Sequence, residues 1–407
     1  MLVFLTGSTN AATNRPNGLD HRITALTNAE LLNRPATVLV DPTRQLAAER
    51  LSRFKEPVWF FLMLCIIGAL AYFWLSGAAA ALRDRLRRSI DGEFLVRFCF
   101  GALLGLVADL ASLPGQFVQY RLLRVEGLSV ELSRPWAIDW LVTLVLVMLA
   151  VGLIAAIVLW LADRTHQWYL YVLIGIFAVS FGLALVNPFS IGPLYNRTVG
   201  LPASQPLAVR LRSLETRAGY PSLPILAIDG SQRSEDGGAF VAGFGPSDRI
   251  VLEDSLLAGA TDAEIVFATA HELGHVADHD PLHLAIFDAV IFILMAALAV
   301  LLADRIRFRR DDDAVSRLAL VGALIGCMYV LAIPFVHAYT RHLEAGADAY
   351  ALRLTHDPAA GVREMVRFAD QGMRVVCPDV VSSWYFDTHP SIARRIAAVN
   401  HVPDACP

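Results

Sequence analysis

The sequence predicts a mainly α-helical, polytopic membrane protein with about six transmembrane helices and a smaller α+β part that contains a short β-hairpin. Hydrophobic residues make up 56% of the 407-residue chain and charged residues only 18%, whereas about a quarter of a soluble chain is charged. Apolar runs of about 20 residues, the length that crosses a bilayer, recur along the chain. Residues 187–281 have no such run and hold short strand-like segments instead.

Six segments are apolar and long enough to span a membrane, and two of them form a tight hairpin. The span at 98–120 is the weakest because Asp109 and Pro114 interrupt it. The predicted spans are 57–82, 98–120, 140–162, 168–186, 284–303 and 318–340. They divide the chain into a polar N-terminal segment 1–55, a four-span region 56–186, a block 187–281, a two-span hairpin 282–340 and a C-terminal part 341–407.

The block 187–281 is expected to contribute the β-structure. Ile225–Ile228 and Arg249–Leu252 are short apolar runs typical of strands. The turn residues Gly245 to Asp248 follow the run 237–244 and precede the second strand. We therefore predict a short antiparallel hairpin at this point.

The pattern His271-Glu272-x-x-His275 is typical of the zinc-binding helix of a metalloprotease. Residues four apart share one helix face, so both imidazoles can reach one ion. Glu272 stands about 100° round the same turn, where it can reach a metal-activated water without binding the ion. Thr261 with Glu264 forms a capping box that begins the helix.

His279 and His283 continue the same four-residue row, with Asp278 and Asp280 beside them. These four residues could be extra ligands. We interpret them as polar residues at the point where the helix leaves the site.

A third metal ligand is required, because catalytic zinc sites usually have three protein ligands and one open position. The loop between the next two spans lies on the opposite face of the membrane, so the ligand must come from before that hairpin or after 318–340. Glu344 stands just after the second of these spans and is the predicted ligand, with His342 as its competitor. Asp348 lies one turn further on the same face, where it can accept the other ring N–H of a ligating histidine.

The remaining composition excludes some functions. No long basic block is present, so nucleic acid is not an expected partner. The five cysteines form no metal-ligand pattern. Cys377 and Cys406 could pair, but we do not expect a disulfide between them.

Several ordered motifs add a resemblance to a known family. They include the segment Asn187 to Arg197, the run 237–244, Arg249 to Leu257, the His-Glu-x-x-His helix, Arg341-x-x-Glu344-x-x-x-Asp348, and Thr388-His389-Pro390 through Arg395. In these motifs the chain resembles the membrane-embedded zinc metalloprotease family that contains the type I CAAX prenyl endopeptidases and the heat-shock protease HtpX. Four spans precede the catalytic block, which favours the prenyl-endopeptidase branch. That branch has seven spans, so an N-terminal span is expected to be missing here.

The resemblance implies a zincin-like α+β catalytic domain and a role for each matched residue. His271, His275 and Glu344 would bind Zn²⁺, and Glu272 would be the general base. His389 would stabilise the oxyanion or hold the substrate, although a residue before Pro390 can also simply begin a helix. Arg395 would lie nearby as a substrate-carboxylate partner or a structural one.

The resemblance also implies that the run 237–244 is an edge strand that pairs with an extended substrate through Gly238, Ala239 and Phe240. Here the chain departs from the family, because the family pattern has Asn at the position of Gly238. A side-chain contact to the substrate backbone is therefore in doubt at this position.

The predicted function is an integral membrane, zinc-dependent endopeptidase. Its partners would be membrane lipid and a peptide or protein substrate, either a lipidated CAAX-type peptide or a membrane protein under quality control. The alternatives are an inactive scaffold or sensor with a protease-like core, which the intact Glu272 disfavours, and a transporter. Arginines near the span ends favour the non-catalytic face as cytoplasmic. The resemblance implies a cytoplasmic catalytic domain, and we follow the resemblance.

Overall fold

The computed structural model describes residues 17–190, 197–201, 205–306, 313–400, 402–404 and 406. Within them the helices are α1 (Asn17–Ala25), α2 (Asn28–Asn33), α3 (Ala36–Leu39), α4 (Pro42–Leu75), α5 (Ala78–Ser89), α6 (Glu93–Val125), α7 (Ser133–Arg164), α8 (Trp168–Ser190), α9 (Pro206–Ala218), α10 (Asp254–Gly259), α11 (Asp262–Ala277), α12 (Asp280–Arg305), α13 (Ala314–Thr355), α14 (Pro358–Gln371), α15 (Val380–Tyr385) and α16 (Ile392–Asn400). The strands are β1 (Thr198–Gly200), β2 (Ile225–Ile228), β3 (Ala239–Ala242) and β4 (Arg249–Glu253).

Five helices, α4, α6, α7, α12 and α13, are long and apolar enough to cross a membrane. The apolar helix α8 covers the predicted span at 168–186, so the prediction of about six spans agrees with the fold. The first predicted span, 57–82, ends too late. Gly77 adopts a left-handed backbone (φ 82°) that separates the end of α4 from α5, a conformation that glycine reaches without steric cost.

The small sheet has the strand order β1-β2-β4-β3, so β3 lies at one edge. β3 and β4 are antiparallel, and Gly245–Ser247 forms the turn between them. This confirms the predicted hairpin. β2 runs parallel to β4 and antiparallel to β1.

Helices α11 and α13 cross at a contact that only a small residue permits. A Cβ added to Gly274 would lie 3.0 Å from the Cα of Ala347. The two backbones therefore approach closely at Gly274, which precedes His275, and at Ala347, which precedes Asp348. Because α13 is one 42-residue helix, the same element crosses the membrane and reaches the contact with α11.

The described part of the N-terminal segment, which the sequence left without an assigned structure, packs into the core around α11 and α14. Ile23, Leu31 and Leu39 are fully buried in one cluster with residues of α11 and α14. Arg367 of α14 donates to Asp20 and to Glu264, the capping residue of α11. The start of the chain is thus joined to the helix that carries the histidines.

Cys377 and Cys406 form a disulfide, with their Cα atoms 5.3 Å apart. The expectation that they stay unpaired was wrong. Residues 29 positions apart in sequence are brought together because Val376 and Ile396 pack in the same core, and the Cα separation is typical of disulfides.

Candidate metal centre and active site

Helix α11 is held rigidly from its first turn. Thr261 accepts a hydrogen bond from the Glu264 backbone N–H, and the Glu264 carboxylate accepts one from the Thr261 backbone. This is the predicted capping box. Glu264 is fully buried and also accepts a 2.7 Å hydrogen bond from Arg367 Nε. The helix therefore presents His271 and His275 from a fixed position.

The structure brings together the three predicted metal ligands. One ligand atom each from His271, His275 and Glu344 lies within 4.8 Å of the other two. His271 Nε2 is 3.2 Å from His275 Nε2 and 3.1 Å from Glu344 Oε2. His275 Nε2 is 3.8 Å from Glu344 Oε1. His271 and Glu344 are buried, and His275 is partly exposed.

Each histidine is oriented by a second carboxylate. His271 Nδ1 lies 3.0 Å from Asp348 Oδ1, the partner predicted from the sequence. His275 Nδ1 lies 2.7 Å from Asp280 Oδ2. A carboxylate accepts hydrogen bonds, so in a metal-bound site each histidine would carry its ring proton on Nδ1 and would present the Nε2 lone pair to the ion. Two imidazole lone pairs and a carboxylate oxygen then point at one small volume.

This donor set fits a zinc ion. With both rings protonated on Nδ1, lone pairs about 3 Å apart would repel each other in a buried site unless a cation lay between them. Four ligands at about 2.0–2.1 Å in a tetrahedron stand roughly 3.3 Å from each other. The observed separations of 3.1, 3.2 and 3.8 Å bracket that value.

Glu272 is buried beside this group and is held by the edge strand. The backbone N–H of Val241 in β3 donates to its carboxylate. Burial raises the pKa of Glu272, and the nearby Glu344 adds to this effect, whereas the two histidines lower it. A carboxylate with a raised pKa is a stronger base, which suits it to accept a proton.

In the edge strand β3, some backbone groups point away from β4, towards Glu272. Both backbone groups of Gly238 are engaged by β4: its carbonyl accepts from Glu253 N at 2.9 Å, and its N–H donates to Glu253 Oε2 at 3.1 Å. Alternate residues of a strand point their backbone groups to opposite edges. Ala239 and Val241 therefore point away from β4, towards the open edge.

Gly238 and Phe240, two of the predicted substrate residues, differ in the space around them and in their exposure. A Cβ added at Gly238 would meet nothing within 4 Å, so space is open where a side chain is missing. Phe240 is 42% exposed. Of Gly238 and Ala239, only Ala239 has backbone groups that point to the open edge, because both backbone groups of Gly238 are bonded to Glu253.

His389 lies against the ligand group, just before helix α16. Its Nε2 is 3.1 Å from Glu344 Oε2, and its Nδ1 is 3.0 Å from the hydroxyl of Thr388. Burial, together with the nearby Arg395 guanidinium, lowers the pKa of His389 to about 4. The ring is therefore neutral at pH 7 and keeps one N–H to donate.

Arg395 is buried behind the site and not at a surface that a substrate could reach. Its Nε and Nη2 atoms donate to Asp348 at 2.8 and 2.7 Å. The same Asp348 holds His271. Of the two roles expected for Arg395, these bonds favour the structural one, in which Arg395 positions His271 through Asp348.

The competing histidines lie outside the ligand group. His342 is exposed two positions before Glu344, and so faces another side of α13. His283 is exposed on α12, and His279 is the left-handed residue (φ 54°) before that helix. His279 and His283 thus lie where the chain leaves α11, as the sequence suggested, whereas Asp280 of the same group contacts His275.

Two hydrogen bonds of the site, from His275 to Asp280 and from Val241 to Glu272, were not predicted from the sequence. The sequence placed Asp280 beside the histidines without a partner, and the left-handed turn at His279 brings it back to His275. No sequence signal pointed to the bond from Val241 to Glu272, because it joins elements 31 positions apart.

The chain is similar to known proteins over most of its length. Residues 42–197 match the family described as CAAX prenyl protease N-terminal, five membrane helices, and residues 204–402 match Peptidase family M48. An uncharacterised metalloprotease of Bacillus subtilis, YhfN, is 27% identical over 370 residues, 87% of this chain and 85% of that protein. CAAX prenyl protease 1 of Saccharomyces cerevisiae is 26% identical over 331 residues, 75% of this chain and 72% of that protein.

A crystal structure shares the fold. Ste24p of S. mikatae superposes with a TM-score of 0.76 at 22% identity, and the match covers 94% of this chain and 95% of that one. Membrane-crossing helices joined to a buried His–His–Glu group beside a sheet edge define an integral membrane metalloendopeptidase. The chain belongs to peptidase family M48, and its membrane region belongs to the CAAX prenyl protease type.

Proposed function

We propose that this protein is a zinc-dependent endopeptidase that cleaves membrane-associated polypeptides with a water molecule activated by Glu272. The observation that carries the proposal is the convergence of His271 Nε2, His275 Nε2 and Glu344 beside the buried Glu272. Zinc held by these three residues would supply a Lewis acid that polarises the scissile carbonyl and lowers the pKa of a bound water.

Glu272 is the general base of this proposal. Its raised pKa and its position one residue after His271 support proton removal from the attacking water. The Val241 N–H holds the carboxylate at the edge of β3, where a substrate strand would lie. The same carboxyl group then passes the proton to the leaving amine.

His389 is proposed as the donor to the developing oxyanion. The Nε2 atom of its neutral ring faces Glu344, on the side of the ligand group, and would carry the ring proton there. A donor placed in advance of the reaction in this way is typically worth about 3–4 kcal/mol of transition-state stabilisation.

The substrate is proposed to bind as an additional antiparallel or parallel strand on β3. Ala239 offers both backbone groups to the open edge, and the exposed Phe240 ring would border the bound peptide. Two substrate classes fit a site at the ends of membrane helices. One is a lipidated C-terminal peptide, as the names of the prenyl protease relatives suggest, and the other is a membrane-associated protein without a lipid.

Cleavage of a farnesylated peptide beside its unmodified twin tests the function and the substrate class together. The purified full chain should cleave at least one of the two peptides, and the Glu272→Gln variant should cleave neither. Dependence on the farnesyl group would assign the lipidated class. Equal cleavage of the two peptides would assign the other class, and no cleavage of these or of a generic protein substrate would overturn the proposal.

A further inference from the structure

We propose that the catalytic domain faces an oxidising compartment outside the cytoplasm, so that its substrates are exported or membrane-anchored polypeptides exposed there. The substrate part of this inference rests on the proposed function, and the orientation part does not. It is the reverse of the orientation that the family resemblance implies. Two independent observations support it, a disulfide and the distribution of arginine.

The helices define two membrane faces. The N-terminal end of α4 is bonded to the catalytic domain through Asp41 N and the Asp370 carboxylate, 2.9 Å apart. The connection between α6 and α7 is bonded to it through Val130 N and Arg233 O, 3.1 Å apart. We call this the catalytic face. On the other side, Arg83 and Arg87 of α5 both pair with Asp313 at the start of α13. We call that side the arginine face.

The disulfide lies on the catalytic face. Cys377 follows α14 and Cys406 follows α16, and both contact the core of the catalytic domain. The other three cysteines, Cys65, Cys99 and Cys327, all lie within membrane-crossing helices. Every cysteine outside those helices is thus oxidised. Cytosolic thiols are kept reduced, and persistent structural disulfides are typical of compartments beyond the cytoplasm.

The short loops on the opposite face are rich in arginine, whereas the basic residues of the catalytic face stand in the ends of its helices, at Arg44, Arg50, Arg53, Lys55, Arg121, Arg124 and Arg134. The residues between α4 and α6 carry Arg83, Arg85, Arg87 and Arg88, and the sequence between α12 and α13 adds three more arginines at 307, 309 and 310. The connection between α6 and α7 on the catalytic face, residues 126–132, contains neither lysine nor arginine. Short loops rich in Lys and Arg stay in the cytoplasm, and acidic residues contribute little to this rule. The arginine face is therefore the cytoplasmic one.

The disulfide also bears on the active site. It closes the segment from 377 to 406, and this segment carries both His389 and Arg395. A cross-link that encloses these residues restricts the unfolded chain and so favours the folded form of the segment. In an oxidising compartment the bond would persist and keep the segment in place.

A matched pair of serine-to-cysteine variants tests the orientation. Ser213 on α9 is exposed on the catalytic domain, and Ser89 at the end of α5 is exposed on the arginine face. In intact bacterial cells, a maleimide that cannot cross the inner membrane should label Ser213→Cys and should label Ser89→Cys only after permeabilisation, with the unmodified chain as the blank. Labelling of Ser89→Cys in intact cells, alone or equally with Ser213→Cys, would overturn the inference.

A second measurement tests the disulfide in the same cells. After thiols are trapped by alkylation before lysis, mass spectrometry should find the peptides of Cys377 and Cys406 joined. Cys406→Ser should lower the midpoint of thermal unfolding, while Cys327→Ser in the membrane serves as the control. Alkylated, unjoined Cys377 and Cys406 from aerated cells would contradict an oxidising location.

The substrate class is tested with a membrane-anchored reporter displayed on either side of the membrane. The wild-type chain, and not Glu272→Gln, should cut the exported reporter and spare the cytoplasmic one. Cutting of the cytoplasmic reporter alone would overturn the substrate assignment. If labelling gives the expected side but purified enzyme cleaves no peptide, the proposed function fails and the orientation stands.

Discussion

At the scale of single residues, the site consists of ligands that are each held by another charged group. Asp348 holds His271 and is itself held by two hydrogen bonds from Arg395. Asp280 holds His275. These contacts fix the ring orientation and leave both Nε2 atoms free to bind metal. Preorganisation of this kind strengthens metal binding and keeps the base at a constant distance.

Glu272→Gln should retain zinc and lose turnover. The amide keeps the size of the side chain but cannot accept the proton of the attacking water, and loss of a general base typically lowers kcat by about 10²–10⁴-fold. Metal analysis and peptide cleavage on the same purified sample measure both effects. A zinc-loaded Glu272→Gln variant with wild-type turnover would refute the role of this residue.

Asp280→Ala should weaken zinc binding about 10- to 100-fold, the usual cost of losing a carboxylate that holds a ligating histidine. The zinc dissociation constant, measured by competition with a chelator, reports this effect. Asp278→Ala is the matched control, because Asp278 is exposed at the same helix end and should bind zinc like the wild type. Equal affinity of both variants would show that Asp280 does not orient His275.

At the scale of elements, the edge strand β3 and the helix α11 act together. β3 pairs with β4 on one side, and its Val241 N–H reaches Glu272 on the other. A peptide added to the open edge would therefore lie directly beside the base. The position of the strand in the sheet sets where the scissile bond is presented.

Ala239→Pro should lower kcat/KM without loss of zinc or fold. Proline removes one backbone N–H, and at position 239 this N–H points to the open edge, where a strand tolerates proline. Phe240→Pro is the contrasting variant, because its N–H points towards β4 and its loss should destabilise the sheet. Full activity of a folded Ala239→Pro protein would rule out substrate pairing at this residue.

Features that depend on neighbouring residues in the sequence could be predicted. Contacts between residues that are far apart in the sequence could not. The capping box at Thr261 and the strand at Ile225–Ile228 follow from adjacent residues, and both are present. Glu344 could be placed because two membrane spans return the chain to the same side. The contacts of Asp280 and the Cys377–Cys406 disulfide depend on a left-handed turn and on core packing, which have no short sequence signature.

At the scale of the whole molecule, the chain leaves the catalytic domain, crosses the membrane twice and returns with the third ligand. Helices α12 and α13 make this excursion, and α13 continues without a break from the membrane to Glu344 and Asp348. The N-terminal helices contribute Ile23, Leu31 and Leu39 to the same core. The site is thus assembled from segments far apart in sequence, which makes its geometry dependent on the complete fold.

Arg367→Met should destabilise the protein through the N-terminal segment. Arg367 is almost fully buried between Glu264 and Asp20, and removing one partner of a buried ion pair typically costs about 3–5 kcal/mol. The free energy of unfolding in detergent measures the effect, and Arg85→Met at an exposed position should change it little. Unchanged stability of Arg367→Met would show that this link to the N-terminal helices contributes nothing.

The zinc content of the purified Glu344→Ala variant, compared with the wild type at equal helicity, tests most directly whether two imidazoles and the returning carboxylate share one ion. We predict that the wild type retains stoichiometric zinc after dialysis, and that Glu344→Ala retains little. Full zinc occupancy in a folded Glu344→Ala protein would contradict this ligand set and with it the assignment of the active site.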